Sequence, residues 1–179
     1  MMTASVLVHV CCAHCAAYTM AFWKNQNYQV EAFWYNPNIH PEEEYYHRLK
    51  ATQTLLKEEG LPIIISPDYQ PSTYFDSVGS QKENRCRRCF RLRLGQTARK
   101  AMELGFSAFT SSLLISPHQE HDNILLIGDE LAETNGIVFL YSDLRRRYSD
   151  SRVMTKHRGL YRQEYCGCEF SKQERFSSR

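Results

Sequence analysis

The cysteines constrain this chain more than any other feature. All seven fall in three tight groups: Cys11 and Cys12 with Cys15, then Cys86 and Cys89, then Cys166 and Cys168. Cysteines used only for packing would scatter. Groups this far apart can share one soft-metal centre only if the fold brings them together. An odd number of thiols fits a full disulfide framework poorly. The amino-terminal run MMTASVLVHVCC has no basic stretch ahead of its apolar residues, so it reads as a first strand and not a signal peptide. No apolar run approaches the roughly 18 residues of a membrane span. The expectation is a cytoplasmic protein with no membrane partner, whose clustered thiols bind metal or do redox work.

The hydrophobic pattern predicts alternating strands and helices. Short runs, the first of them rich in valine, mark strands at 6–10, 30–35, 62–66, 107–112 and 137–141. Between them lie helical stretches at 16–25, 41–60, 87–104 and 117–135, with an irregular connection over 67–80. A short helix at 149–156 and a loop-rich tail complete the chain. Such alternation means βαβ units and a mostly parallel sheet of the α/β class. A chain of 179 residues is expected to form a single domain over 1–179. Its α/β core is placed at 1–142, and a basic segment at 143–179 packs on the active-site side.

In sheets of this kind ligands bind beyond the carboxyl ends of the strands, where the strand order switches. Cys11 and Cys12 stand where a nucleotide-binding protein would carry its phosphate loop, yet neither a P-loop nor a G-x-G-x-x-G motif occurs. Adjacent thiolates chelate one small ion awkwardly but reach two irons of a cubane more easily. With Cys86-Arg87-Arg88-Cys89 they supply the four thiolates of a [4Fe–4S] cluster. A structural zinc with four cysteine ligands stands as the alternative. A helix N-terminus at Cys86 is expected to lower thiol pKa values. Cys166-Gly167-Cys168 can close a strained, reducible disulfide or help bind a second metal. Cys15 is either a buried thiol or a further ligand. His118 and His121 read as surface helix positions. Asn36, Asn38 and His40 follow a strand end, which puts them toward the cleft.

The formal net charge of +2 hides segregation. Segments 82–100 and 143–162 hold fifteen of the 22 lysines and arginines, and each adjoins a cysteine group. A basic side beside thiols points to a polyanionic partner.

HVCCAHC at 9–15, FWYNPNIHPEEEYYHR at 33–48, CRRC at 86–89, TSSLLISPHQ at 110–119 and YRQEYCGCEFS at 161–171 together resemble the cobalamin-independent epoxyqueuosine reductases, the QueH family. The likeness runs through almost the whole chain in order. His14, where proline is expected, and Arg146-Arg147 depart from the pattern without touching the ligand set. The resemblance implies reduction of epoxyqueuosine to queuosine at the tRNA wobble position, the last step in making that base. It implies a Rossmann-like sandwich of the adenine nucleotide α-hydrolase type. Cys11, Cys12, Cys86 and Cys89 would bind the cluster, and Cys166 and Cys168 would be the redox-active pair, with a second iron near the cluster as a further possibility. The partners implied are tRNA carrying epoxyqueuosine and an external electron donor. Arg87, Arg88, Arg145, Arg146 and Arg147 are the expected RNA contacts. Asp68, His118 and Tyr165 are candidate proton donors. The competing functions are a zinc-stabilised tRNA-binding module and a cytosolic dithiol oxidoreductase.

Overall fold

The computed structural model describes residues 4–66, 68–79 and 83–177. Pro67, Ser80 and Lys82, which bound segments read from the sequence, lie outside the described residues. Strands β1 (Ser5–His9), β2 (Gln29–Trp34), β3 (Ile63–Ile65), β4 (Ala108–Ser111) and β5 (Val138–Phe139) form one sheet in the order β3-β2-β1-β4-β5. Every pairing is parallel. Strands buried on both faces read as unbroken apolar runs, and Val6, Leu7 and Val8 are fully buried. Their alternation divides them between two layers. Val6 and Val8 pack with Trp34 beneath α1 (Ala13–Asn25) and α2 (Glu42–Glu58). Leu7 packs with Phe33 and Phe109 beneath α4 (Arg85–Glu103) and α5 (His121–Asn135).

The chain steps outward from β1 to β2 and β3. It then returns through α3 (Pro71–Val78) and α4 to enter β4 on the other side of β1. Strand order therefore reverses between β1 and β4, and a crevice opens at their carboxyl ends. His9 and Ser111, paired in register, are the last strand residues there.

Several boundaries differ from the sequence reading. Helix α1 starts at Ala13, because Cys12 takes the N-cap position and its Sγ accepts from the Cys15 amide at 3.4 Å. Ser, Thr, Asp and Asn ordinarily fill that role, so a cysteine gave no start signal. Helix α5 begins at His121, after a 3-10 turn at Ser112–Ile115. The tail is not loop throughout. After α6 (Tyr148–Thr155) it ends in α7 (Glu169–Ser177). None of α7's residues is buried, so it carries no apolar period to read. Arg85 holds it, pairing with Glu174 at 2.6 Å and lying 5.3 Å from the Phe170 ring centre.

Gly128 marks a close approach. A Cβ there would meet the Phe139 ring at 2.1 Å. Only glycine lets β5 pack this near α5.

Candidate active site

The first thiol group sits at the end of β1. Cys12 and Cys15 donate S–H to Cys11, which holds the Cys11 thiol well below its ordinary value against the opposing effect of burial. Cys12, as a proton donor to Cys11, is pushed up to about 12. The sequence left Cys15 open, and the structure groups it with its two neighbours. Gln163 Nε2 donates to Cys12 Sγ at 2.9 Å, a contact from the far end of the chain that no motif announces.

His9 lies beneath this group. Its Nδ1 is 2.9 Å from Ser111 Oγ, and its Nε2 faces the Tyr35 carbonyl and Asn36 Oδ1. Two acceptors require a proton on Nε2, so Ser111 donates to Nδ1. Burial, and then the charge of Arg93, lower the His9 pKa to about 4. The ring is a neutral brace.

The second group, Cys86 and Cys89, occupies the first turn of α4. The helix N-terminus was expected to lower these thiols. Instead burial raises both, Cys89 to about 12, with Arg93 pulling Cys89 partly back. Desolvation outweighs the dipole here.

The third group is fixed by residues that sequence reasoning missed or misplaced. Arg48 is only 1% exposed and reaches from α2 to donate to the Tyr165 and Cys166 carbonyls at 3.0 and 2.9 Å. Glu44, also buried, accepts from Arg48 Nε at 2.6 Å and from the Tyr161 hydroxyl. His40 does not face the cleft. Its amide donates to the Gly167 carbonyl at 2.8 Å, its Nδ1 accepts from the Glu169 amide at 3.2 Å, and its Nε2 meets the Pro37 carbonyl at 3.0 Å. Asn36 and Asn38 are likewise buried. Asn36 donates to the Val10 carbonyl at 2.8 Å. The 36–41 loop therefore clamps the C-G-C turn instead of lining the cleft. Gly167 has φ +146°, and a Cβ on it would lie 3.2 Å from Asn38 Nδ2 and 3.3 Å from Ile39.

This turn sends its two thiols to different surroundings. Cys166 lines the cleft, within 3.6 Å of Gln119 Nε2, though its sulfur lies deep enough for desolvation to raise its pKa. Cys168 is buried with Tyr74, Val78 and Cys89. All seven thiols are free. Among the described residues no three His, Cys, Asp or Glu side chains are placed to hold one metal ion.

The cleft measures about 900 Å³, and its lining includes Cys11, Cys15 and Cys166. His118 and Tyr165 line it too, whereas Asp68 does not. His121, read as a surface position, is buried, with Nε2 3.2 Å from the Ser116 carbonyl. Beside the cleft a side pocket of about 270 Å³ shares Arg152 and Arg162 with it and adds Lys156. These three cations form no ion pair among the described residues. Of the arginines singled out from sequence, Arg145 forks onto Asp143 and Arg147 pairs with Asp150 at 3.2 Å. Arg88 donates to the Val78 carbonyl at 2.9 Å. Arg87 and Arg146 are exposed, without a carboxylate partner among the described residues.

A family model described as "Epoxyqueuosine reductase QueH" matches residues 6–174. The chain belongs to the QueH family. A QueH relative from Dehalococcoides mccartyi is 49% identical over 175 residues, covering 98% of this chain and 96% of its own. Another, from Streptococcus pyogenes serotype M1, is 36% identical over 179 residues, covering 93% and 70%. Both are named epoxyqueuosine reductase, and this QueH chain is an oxidoreductase of that activity. Among solved structures, the U34-tRNA thiolase NcsA from Methanococcus maripaludis with its [4Fe–4S] cluster aligns with a TM-score of 0.60 and 13% identity, over 98% of this chain and 65% of that one. A predicted tRNA methyltransferase subunit from Methanocaldococcus jannaschii gives 0.53 and 13%, over 87% and 89%. These likenesses establish the fold, a Rossmann-like sandwich of the adenine nucleotide α-hydrolase type.

Proposed function

We propose that the chain reduces epoxyqueuosine at the tRNA wobble position with a [4Fe–4S] cluster held by Cys11, Cys12, Cys86 and Cys89. The observation that carries this reading is the convergence of three distant thiol groups at the switch between β1 and β4. Cys11 and Cys166 open into the cleft, and Arg93 lies among Cys89, Cys11 and Cys166. The donors suit the group. Four thiolates are the usual ligand set of a [4Fe–4S] cluster, and the NcsA structure carries such a cluster on the same fold.

Bound there, the cluster supplies single electrons at a potential tuned by neighbouring charge and hydrogen bonds. Converting the epoxide to an alkene takes two electrons and two protons and releases water. Cys166 and Cys168 together hold two of each, and closing their disulfide would deliver them. An external reductant must then reopen the pair. Gln163 orients Cys12. Arg48 and His40 hold the C-G-C turn over the cleft. Of the proton-donor candidates, His118 and Tyr165 line the cleft. The Tyr165 hydroxyl is donated to the His40 carbonyl, and His118 is assigned the proton transfer to the departing oxygen. Arg152, Lys156 and Arg162 face the RNA backbone, with Arg87 and Arg146 at the margins. Residues 143–177 thus act as the substrate-side wall of a single domain. A tRNA substrate places the reaction in the cytoplasm.

The test is anaerobic reconstitution followed by single-turnover reduction of epoxyqueuosine-containing tRNA. Cys86→Ala should lose bound iron and activity together. Cys166→Ser and Cys168→Ser should keep four irons and lose activity. Four irons retained in Cys86→Ala would remove that residue from the ligand set.

A further inference from the structure

Among the described residues three Asp, Glu, Lys or Arg side chains are buried: Glu44, Arg48 and Arg93. The first two answer each other at 2.6 Å. Arg93 is 2% exposed and has no carboxylate within ion-pair distance among the described residues. Its Nε makes a long contact, 3.5 Å, to the Cys89 carbonyl one turn back on α4, and its guanidinium carbon lies 5.8 Å from the Phe90 ring centre. Neither contact neutralises a full charge. A guanidinium cannot shed its proton to escape burial, and a buried charge without a partner is strongly destabilising.

The titratable groups that act on Arg93 are thiols. The groups that act on it most, after burial itself, are Cys89, then Cys11 and Cys166, one from each thiol group. The charge of Arg93 is felt by His9, but burial and Arg93 itself keep that ring neutral, and an imidazole cannot supply negative charge. Arg93 does not line the cleft, whereas Cys11 and Cys166 do. At 2% exposure it does not present its charge to a ligand in the cleft. The fold keeps a permanent cation where only thiolates, or a cofactor they carry, can balance it.

We propose that Arg93 is the internal counter-cation of the iron–sulfur centre, a positioning residue that stabilises its anionic charge and raises its reduction potential. This rests on the cluster reading above. A fixed positive charge favours the more negative, reduced state of a nearby centre, so removing it should make reduction harder.

The experiment compares the parent with Arg93→Lys and Arg93→Met, each reconstituted anaerobically with iron and sulfide. Three quantities are read: iron and sulfide per chain, the midpoint of an anaerobic redox titration followed by absorbance and paramagnetic resonance, and the urea midpoint of the metal-free chain. Arg93→Met should keep or raise the metal-free urea midpoint, because an unanswered charge has gone. Its loaded form should titrate at a more negative potential than the parent, with Arg93→Lys in between. Loss of iron from a folded Met variant, restored in the Lys variant, supports the same role. A Met variant with four irons and the parent's potential overturns it. So does a lower metal-free urea midpoint with iron lost in both variants, which makes Arg93 a packing residue. A parent that binds no iron and sulfide removes the cluster reading, and this proposal with it.

Discussion

Replacing Arg48 by methionine tests the clamp that positions the C-G-C turn. The side chain is 1% exposed, pairs with Glu44 at 2.6 Å, and donates to the carbonyls of Tyr165 and Cys166 at 3.0 and 2.9 Å. Methionine keeps most of the volume and none of the donors. Glu44 is then left buried with only the Tyr161 hydroxyl, and two carbonyls lose a charged partner. Breaking one half of a buried pair costs about 3–5 kcal/mol. Against a typical total of about 5–15 kcal/mol, that is a large fraction. Glu44→Gln should cost comparably, since it strands the arginine. The double variant Glu44→Gln/Arg48→Met buries no charge, so it should fall well short of the sum, with a coupling of about 0.5–3 kcal/mol. Urea unfolding at pH 7 gives the four free energies. Hydrogen exchange over 163–171 locates the effect: it should accelerate in Arg48→Met more than in Glu44→Gln, which keeps the carbonyl contacts. A loss under about 1 kcal/mol with unchanged exchange in that segment would refute the clamp.

Gly167→Ala places a side chain at φ +146° and 3.2 Å from Asn38 Nδ2. It should cost about 1–3 kcal/mol of backbone strain and lower activity without reducing bound iron, read by urea titration beside iron analysis. Gly128→Ala drives a Cβ to 2.1 Å from the Phe139 ring, and overpacking of this kind costs about 1–3 kcal/mol or more. A drop in melting temperature checks it, and a rise, as helix propensity alone would give, would show that β5 yields easily. Burial lowers His40 from its ordinary 6.5, so the folded state resists protonation more than the unfolded chain does. The contribution of His40 is intact above 6.5 and is lost as the pH falls through its lower folded value. The protection factor of the Glu169 amide, bonded to His40 Nδ1, should fall over that acid window in the parent once intrinsic exchange is divided out, and lose the dependence in His40→Gln.

Much of this molecule was legible in the chain itself. Alternating apolar runs and helical stretches specify a parallel α/β sheet, because strands buried on both faces must be apolar throughout. The three cysteine groups locate the site, since their residue type and proximity to a strand end and a helix start are local facts. Family motifs add the substrate. What the chain could not show were contacts between distant segments. Cys12 reads as a ligand and also caps a helix. His40 and Asn38 read as cleft residues because they follow a strand end, yet the returning tail covers them. Helix α7 has no apolar face to betray it. Arg93 is lost in a run of arginines whose other members are mostly solvated or paired. Burial decides which arginine keeps an unanswered charge, and burial is set by packing across the sheet, a property of the tertiary structure that no spacing along the chain encodes.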